Sequence, residues 1–337
     1  MSLNVALTNA ISGLRLNQAA LDVAAQNVAN VNTEGYSRKI VQQQTVVLGG
    51  LGSGVEITAI ARNVNEFLLK DMRAAVSQLN DSQVQDDFYS RMQDLFGSLK
   101  SDTSISAYVT NLATRFQSLV NAPEDVALRS QVVAQADLLA QQFQSIATEL
   151  QELRLSADRS ISDGVTEVQA QLTKIHELNV TIAEHKALGL PLTDLQDQRD
   201  IAINKVSEQM GVNYFGRTSG EIVLMTEAGR LMVDRTVPTI THTPASSFDN
   251  TISWNAAGTG AVGGIDFNNI DITSEIITGR IAGLIAMRDT ALPNLASQME
   301  ELAGALQNEI NALHNQGTSY PGNDVLTGTR TMLGTEQ

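Results

Sequence analysis

The first apolar pattern in the chain is a heptad. Leu3, Leu7, Ala10, Leu14, Asn17, Leu21, Ala24 and Val28 follow one another at alternating spacings of four and three, which is the a/d seam of a coiled coil. Asn17 is its polar exception. The opposite side, with Asn4, Ser12, Arg15, Gln18, Asp22 and Gln26, is polar but carries little charge. A helix of roughly 26 residues with one such stripe is marginal alone in water, because nothing covers the stripe. It predicts a partner helix. Asn30, Asn32 and Gly35 tolerate left-handed backbone, so the helix should end near Val28 and turn. Past the turn, "YSRKIVQQQTVVL" alternates loosely through Ile40, Val41, Thr45 and Val47 and predicts an extended arm.

Helical spacing then dominates. Ile60, Val64, Leu68, Met72, Ala75 and Leu79 form one stripe, and Val84, Phe88, Met92, Leu95 and Leu99 form a second after a break at "NDS". Ile105, Leu112, Phe116 and Leu119 make a third, stopped by Pro123. The longest pattern runs through Leu139, Phe143, Ile146, Leu150 and Leu153, and resumes after an eight-residue step at Ile161, Val165, Val168, Leu172 and Ile175. That step predicts a stutter or kink around "SADRSISDG". The helix should reach Leu188 before "GLP" ends it. From Val212 to about Thr273 the period shortens to β-rich runs between Gly-containing turns, which predicts a small antiparallel region. Helix is expected again near Ser274, with a break or fresh start at Pro293.

Composition narrows the chemistry. The 337 residues suffice for two or more domains. With 37 acidic and 22 basic side chains the net charge is −15, which disfavours nucleic acid and anionic lipid as partners. Cysteine is absent, removing disulfides, thiolate zinc sites and thiol nucleophiles. No Sec-type signal peptide is readable at "MSLNVALTNAISGLRLNQ", and no apolar run approaches the ~18 residues of a membrane helix. Low aromatic content beside abundant Gln, Asn, Ser, Ala and Leu suits long helices with aliphatic seams.

Chemical motifs stay incomplete. "GTGAVG", Gly258 to Gly263, spells a dinucleotide fingerprint, but "GIDFNNIDIT" after it does not begin the helix that would meet a pyrophosphate. "GGLGSG", Gly49 to Gly54, lacks the Gly-Lys-Ser/Thr end of a P-loop and reads as a pliable arm. His176-Glu177 starts like a zincin motif, yet Val180 occupies the second histidine's place, and His185, His242 and His314 are scattered. Asp194, Asp197 and Asp200 lie at i, i+3 and i+6 near one helical face. With Arg199 nearby they read as a solvated or ion-paired face rather than a metal site. No catalytic, cofactor or metal residues are assigned, and the chain is taken as non-enzymatic.

One segment carries more than its periodicity. "ALTNAISGLRLNQAALDVAAQNVANVNTEGYSRK" resembles the N-terminal signature of the bacterial flagellar rod, hook and hook-associated axial proteins: a Ser-Gly-Leu helix leading to an Asn-x-Ala-Asn-x-Asn-Thr-x-Gly-Tyr turn. Ser12, Gly13, Leu14, Gln18, Leu21, Asn27, Ala29, Asn30, Asn32, Thr33, Gly35 and Tyr36 match it in place. "TDLQDQRDIAINKVSEQMGV" and "TGRIAGLIAMRDTALPNLASQMEELAGALQNEINALHNQG" are similar to segments of the hook-filament junction members of that family. The resemblance also implies a C-terminal amphipathic helix that pairs with the first one. The last residues, "TGTRTMLGTEQ", show no such seam.

The pattern and the resemblance together predict a mainly α, elongated helical bundle with an N-terminal coiled-coil segment and a small inserted antiparallel β region. Residues 1–58 would be an inner-tube helix and arm, disordered in the monomer. Residues 59–211 would be a long-helix bundle, 212–273 the β region, 274–316 helices returning to the bundle, and 317–337 a tail opening an outer domain. The resemblance implies a structural subunit joining hook to filament, outside the cell on the flagellum and exported without a cleaved signal peptide. It implies as partners further copies of the chain in a ring, the hook protein, the second hook-filament junction protein and the flagellar export apparatus, with an export chaperone as a further candidate. The seam would assemble, and Asn27, Asn30, Asn32, Thr33, Gly35 and Tyr36 would form the turn. Two alternatives stand beside this: another flagellar axial or junction protein, and a secreted adhesive module, or a hydrolase carried in the β insertion.

Overall fold

A computed structural model describes residues 3–48, 51–97, 104–249, 252–255, 260 and 262–316. Its main helices are α1 (Leu3–Ala29), α2 (Glu66–Leu95), α3 (Ile105–Asn121), α4 (Val126–Leu188), α5 (Thr193–Gln209), α6 (Arg280–Ala286) and α7 (Leu292–Asn315). A long hairpin of β1 (Lys39–Leu48) and β2 (Leu51–Arg62) follows α1. The strands β3 (Val212–Gly216), β4 (Ile222–Thr226) and β5 (Leu231–Val233) form one antiparallel sheet. A second joins β6 (Ile240–Thr241), β7 (Asp266–Phe267) and β8 (Ile270–Asp271). The mainly α fold with a small antiparallel insertion is therefore present. The tail 317–337 and Leu99 lie outside the described residues, as does the side chain of Leu3.

The chain divides into two compact units, each assembled from separated stretches rather than from consecutive domains. The first comprises residues 1–81, 163–242 and 265–282. Its buried apolar side chains come from the second half of α4 (Val165, Val168, Leu172, Ile175, Ile182), from α5 (Ala202, Ile203, Val206) and from both sheets, as at Leu224, Val233 and Phe267. Gly164 in α4 is required by close packing, because a Cβ there would press on the Ile281 side chain of α6. The second unit comprises 82–162, 243–264 and 283–337. There Leu112 of α3 and Val132 and Leu139 of α4 form a core closed by Leu306 and Ile310 of α7.

Several boundaries depart from the apolar spacing. The arm extends to Arg62, so Ile60 is a strand residue and Val64 lies in a connector. The "NDS" break is absent: Asn80, Asp81 and Ser82 sit inside α2. In its first half the predicted stripe faces solvent at Leu68, Met72 and Leu79, while Arg73 and Ser77 are buried. Polar groups that find partners can occupy inward positions, and hydropathy cannot register them.

The eight-residue step in α4 has a related cause. Helix runs uninterrupted through it, and the buried positions continue as Leu150, Arg154, Ala157 and Ile161 at spacings of four, three and four. An arginine and an alanine occupy the stripe where larger apolar residues are missing. Thr273–Glu275 is a single 3-10 turn, and helix resumes only at Arg280, after Gly279 at φ +95. Of the break or fresh start expected at Pro293, the structure has the fresh start, α7 beginning at Leu292. A π-helical turn, Met287–Ala291, leads directly into α7, and the proline falls in the first turn of α7. In the "GTGAVG" loop, the described residues 260, 262 and 263 are not helical, and β7 follows at Asp266.

Candidate assembly site

The α1 helix has two dissimilar faces. Val23, nearly fully buried, lies on one, with Val5, Asn9, Ser12, Leu16 and Asn27 half-buried on the same side. That side rests on the hairpin. Ser12 Oγ accepts the Val55 N–H at 3.2 Å and donates to the Asn9 carbonyl at 2.9 Å. Gly54, at φ +103, permits the approach, because a Cβ there would run into Ser12. The Ser12 and Gly54 pair gives the opening Ser-Gly-Leu motif and the glycine-rich arm a joint structural use.

The other face is the heptad. Leu7, Ala10, Leu14, Asn17, Leu21, Ala24 and Val28 are all exposed, with Leu14 and Leu21 at 69% and 71%. Among the described residues, none covers this face.

The turn after α1 is organised by Asn27. Its amide donates to the Lys39 carbonyl at 2.9 Å and its carbonyl accepts the Lys39 N–H at 2.9 Å, so one side chain closes a two-point bond onto the first residue of β1. Tyr36 donates its hydroxyl to the same carbonyl at 2.9 Å. Asn30 donates to the Gln26 carbonyl and accepts from Thr33, while Asn32 stands exposed. Gly35 is at φ +74, over the Ile201 side chain of α5, where a Cβ would overlap it. Both its handedness and its lack of a side chain are used.

The hairpin base meets α5 through charge. Asp194, Asp197 and Asp200 share a face, and their partners are Lys39 at the start of β1, Arg62 at the end of β2 and Arg73 on α2. Arg62 Nε lies 2.9 Å from Asp197 and its Nη2 pairs with Asp200. Arg73 reaches Asp200 from the other side at 2.9 Å. Ser37 donates its hydroxyl to Asp197 at 2.5 Å, and Arg73 Nε donates to Asn204 at 2.7 Å. The aspartates are thus ion-paired, but not to Arg199. That side chain is buried on another bearing, donating to Asn179 and to the Gly220 carbonyl, and burial pushes its pKa down to about 10. The i, i+3, i+6 spacing reveals the face, while the partners lie more than a hundred residues away and leave no local signal.

A second buried network sits in the other unit. Arg288, in the π-turn, donates to Asp158 of α4 at 2.6 Å and to Asp289 at 2.7 and 2.8 Å. Burial alone would lower its pKa, but the hydrogen bonds and charges of Asp289 and Asp158 outweigh burial and hold it above its ordinary value. Arg154 donates to the carbonyls of Arg288, Asp249 and Ile252 and stacks over Phe248, so burial shifts its pKa downward. These groups fix an irregular loop onto α4.

Among the described residues no group of three or more His, Asp or Glu side chains could hold a metal ion, and no helix is long and apolar enough to cross a membrane. His176 and His185 lie on α4, apart from His242 and His314 in sequence and element.

Comparison with known proteins agrees with the first helix and with the bundle. The model of the flagella basal body rod protein family matches residues 7–36, which are α1 and its turn. The model of the flagellar hook-associated protein FlgK helical domain matches residues 89–328. Flagellar hook-associated protein 1 of Salmonella typhimurium is 27% identical over 325 residues, covering 94% of this chain and 58% of that protein. The protein of the same name from Escherichia coli is 25% identical over 319 residues, covering 92% and 57%. The chain thus spans under two thirds of the length of these relatives. The flagellar hook junction protein FlgK from Burkholderia pseudomallei shares the fold at a TM-score of 0.60 and 23% identity, over 74% of this chain and 44% of that one. The helical-domain match takes in most of the sequence, including the segment that carries Asp194, Asp197, Asp200, Arg288 and Asp289, and the chain accordingly belongs to the flagellar hook-associated protein FlgK helical-domain family.

Proposed function

We propose that this chain is a structural, non-enzymatic subunit of the bacterial flagellum that joins hook to filament by self-assembly through α1. The observation that carries this reading is the exposure of the whole described heptad face, Leu7 to Val28, on a helix whose other face is already occupied by the hairpin. Such a stripe gains by burial against further helices, at roughly 25 cal/mol per Å2 of apolar surface removed from water. The relatives' names and the shared fold support the hook junction as its place. Its partners would be further copies of the chain in a ring, the hook protein and the second junction protein. Delivery would be through the flagellar export apparatus, with an export chaperone, to an extracellular position.

Replacing Leu14 and Leu21 by Asp tests this. Both sites are exposed, so the isolated chain should keep its helical circular dichroism, the substitutions costing at most about 0.5 kcal/mol each. Incorporation at the hook tip and motility should be lost when the variant is supplied to a strain lacking its own junction protein. A variant that restores swimming refutes the seam. Reproducible substrate turnover by purified chain would refute the non-enzymatic part.

A further inference from the structure

We propose that α1, its turn and the β1/β2 hairpin form one rigid arm that is latched to the body of its unit by charge, so that Lys39 and Arg62 set the direction in which the heptad face is presented. Three observations carry this. First, the arm is tied internally: Asn27 bonds both backbone groups of Lys39, and Ser12 bonds β2 through Val55. Second, the charged ends of the hairpin converge at its base, Lys39 opening β1 and Arg62 closing β2, paired in register directly opposite one another. Third, both reach α5, Lys39 to Asp194 and Arg62 to Asp197 and Asp200, with Ser37 adding a hydroxyl on Asp197.

Arg62, Asp197 and Asp200 are mostly buried, at 11%, 8% and 13% exposure, so these pairs are shielded from salt far better than surface pairs. Gly35 packs over Ile201 at the same junction. Strand residues farther along the hairpin are largely exposed, including Val47, Ile57 and Ile60, and contribute no comparable anchor. The Arg62 guanidinium donates from Nη2 to Asp200 and from Nε to Ser37 Oγ at 2.9 Å, with Asp197 in ion-pair range of Nε, and because its donors lie in one plane it fixes direction as well as distance. Removing it should leave the arm folded and free to swing on the connector 63–65. The latch is a property of the single chain and does not depend on the flagellar assignment.

The absence of native cysteine lets spin labels be placed at will. One pair at exposed Gln18 and Glu177 reports arm against body within the same unit, and a second at Gln18 and Gln44 reports the arm's interior. In the otherwise unsubstituted chain both pairs should give a single narrow distance by double electron-electron resonance. In K39Q/R62Q the first pair should lose its narrow distance while the second keeps it. The body is expected to survive this change, since Asp200 retains Arg73 and α5 keeps Ala202, Ile203 and Val206 in the core. Should the double variant melt below the assay temperature, R62Q alone carries the same readings. A narrow first pair in the folded variant overturns the latch. A second pair that is broad, before or after substitution, overturns the rigid arm and favours an N-terminal segment disordered in the monomer.

Discussion

Truncating Arg288 to Ala should destabilise the second unit by several kcal/mol without touching its apolar core. Arg288 is 1% exposed and Asp158 is fully buried, so the substitution removes a guanidinium that pairs with a buried carboxylate. Asp158 would still accept the Ala245 N–H at 2.7 Å, and Asp289 would lose both of its bonds to Arg288. Breaking a buried pair from one side costs about 3–5 kcal/mol. The sole tryptophan, Trp254, lies two residues from the Ile252 carbonyl that Arg154 holds, so its fluorescence follows this part of the chain. With a urea m-value of about 2 kcal/mol per molar, a loss of about 4 kcal/mol moves the Trp254 transition down by about 2 M.

The paired change R288M/D158N should recover the part of that loss that comes from Asp158, because it removes that buried charge while the introduced side-chain amide would keep an acceptor for the Ala245 N–H, and Asp289 stays without its two bonds. A midpoint shift below about 0.5 M for R288A, or a double variant no more stable than the single one, would refute the assignment of stability to this charge network.

Other consequences are equally open to measurement. Asn27→Ala removes the two-point bond to Lys39, so the Lys39 amide should exchange with solvent about ten-fold faster or more, corresponding to roughly 1–2 kcal/mol of local stability; unchanged protection would mean the bond is dispensable. Gly35→Ala combines a left-handed backbone, costing about 1–2 kcal/mol, with overlap on Ile201, and should loosen the turn as judged by amide exchange at Ser37 and Lys39. Glu275 is held below its ordinary carboxylate pKa by hydrogen bonds from Arg230 at 2.9 and 2.5 Å. A depressed folded-state pKa gives stability that is present above the unfolded value of 4.5 and lost as pH falls through the folded one. Acid titration below pH 4.5 should therefore cost Arg230→Gln less than the unsubstituted chain, by under about 1 kcal/mol for a pair that is only half-buried. Equal acid sensitivity would exclude this pair as a contributor.

Regular apolar spacing made the long elements legible from residue order alone. The heptad of α1 follows from a periodicity that depends only on backbone geometry, the end of α4 at Leu188 from the glycine and proline beyond it, and the α5 helix before the β region from the resemblance of its segment to the flagellar family. Gly35 announced the turn, because few residues tolerate its left-handed backbone, whereas Asn30 and Asn32 are not left-handed and Asn30 serves the turn through its side-chain bonds to Gln26 and Thr33. What the spacing could not disclose was where polar side chains go. Arg73, Ser77, Arg154 and Arg288 are buried at positions that hydropathy assigns to solvent, which is why the apolar stripe breaks in α2 and slips in α4 although both helices continue. The ion partners of Asp197 and Asp200 were equally hidden, since they arrive from β2 and α2 only once the chain has folded. Hydropathy is a property of one residue, whereas the burial of a charge is decided by a second charge brought near by the fold, and only the tertiary structure supplies that second charge.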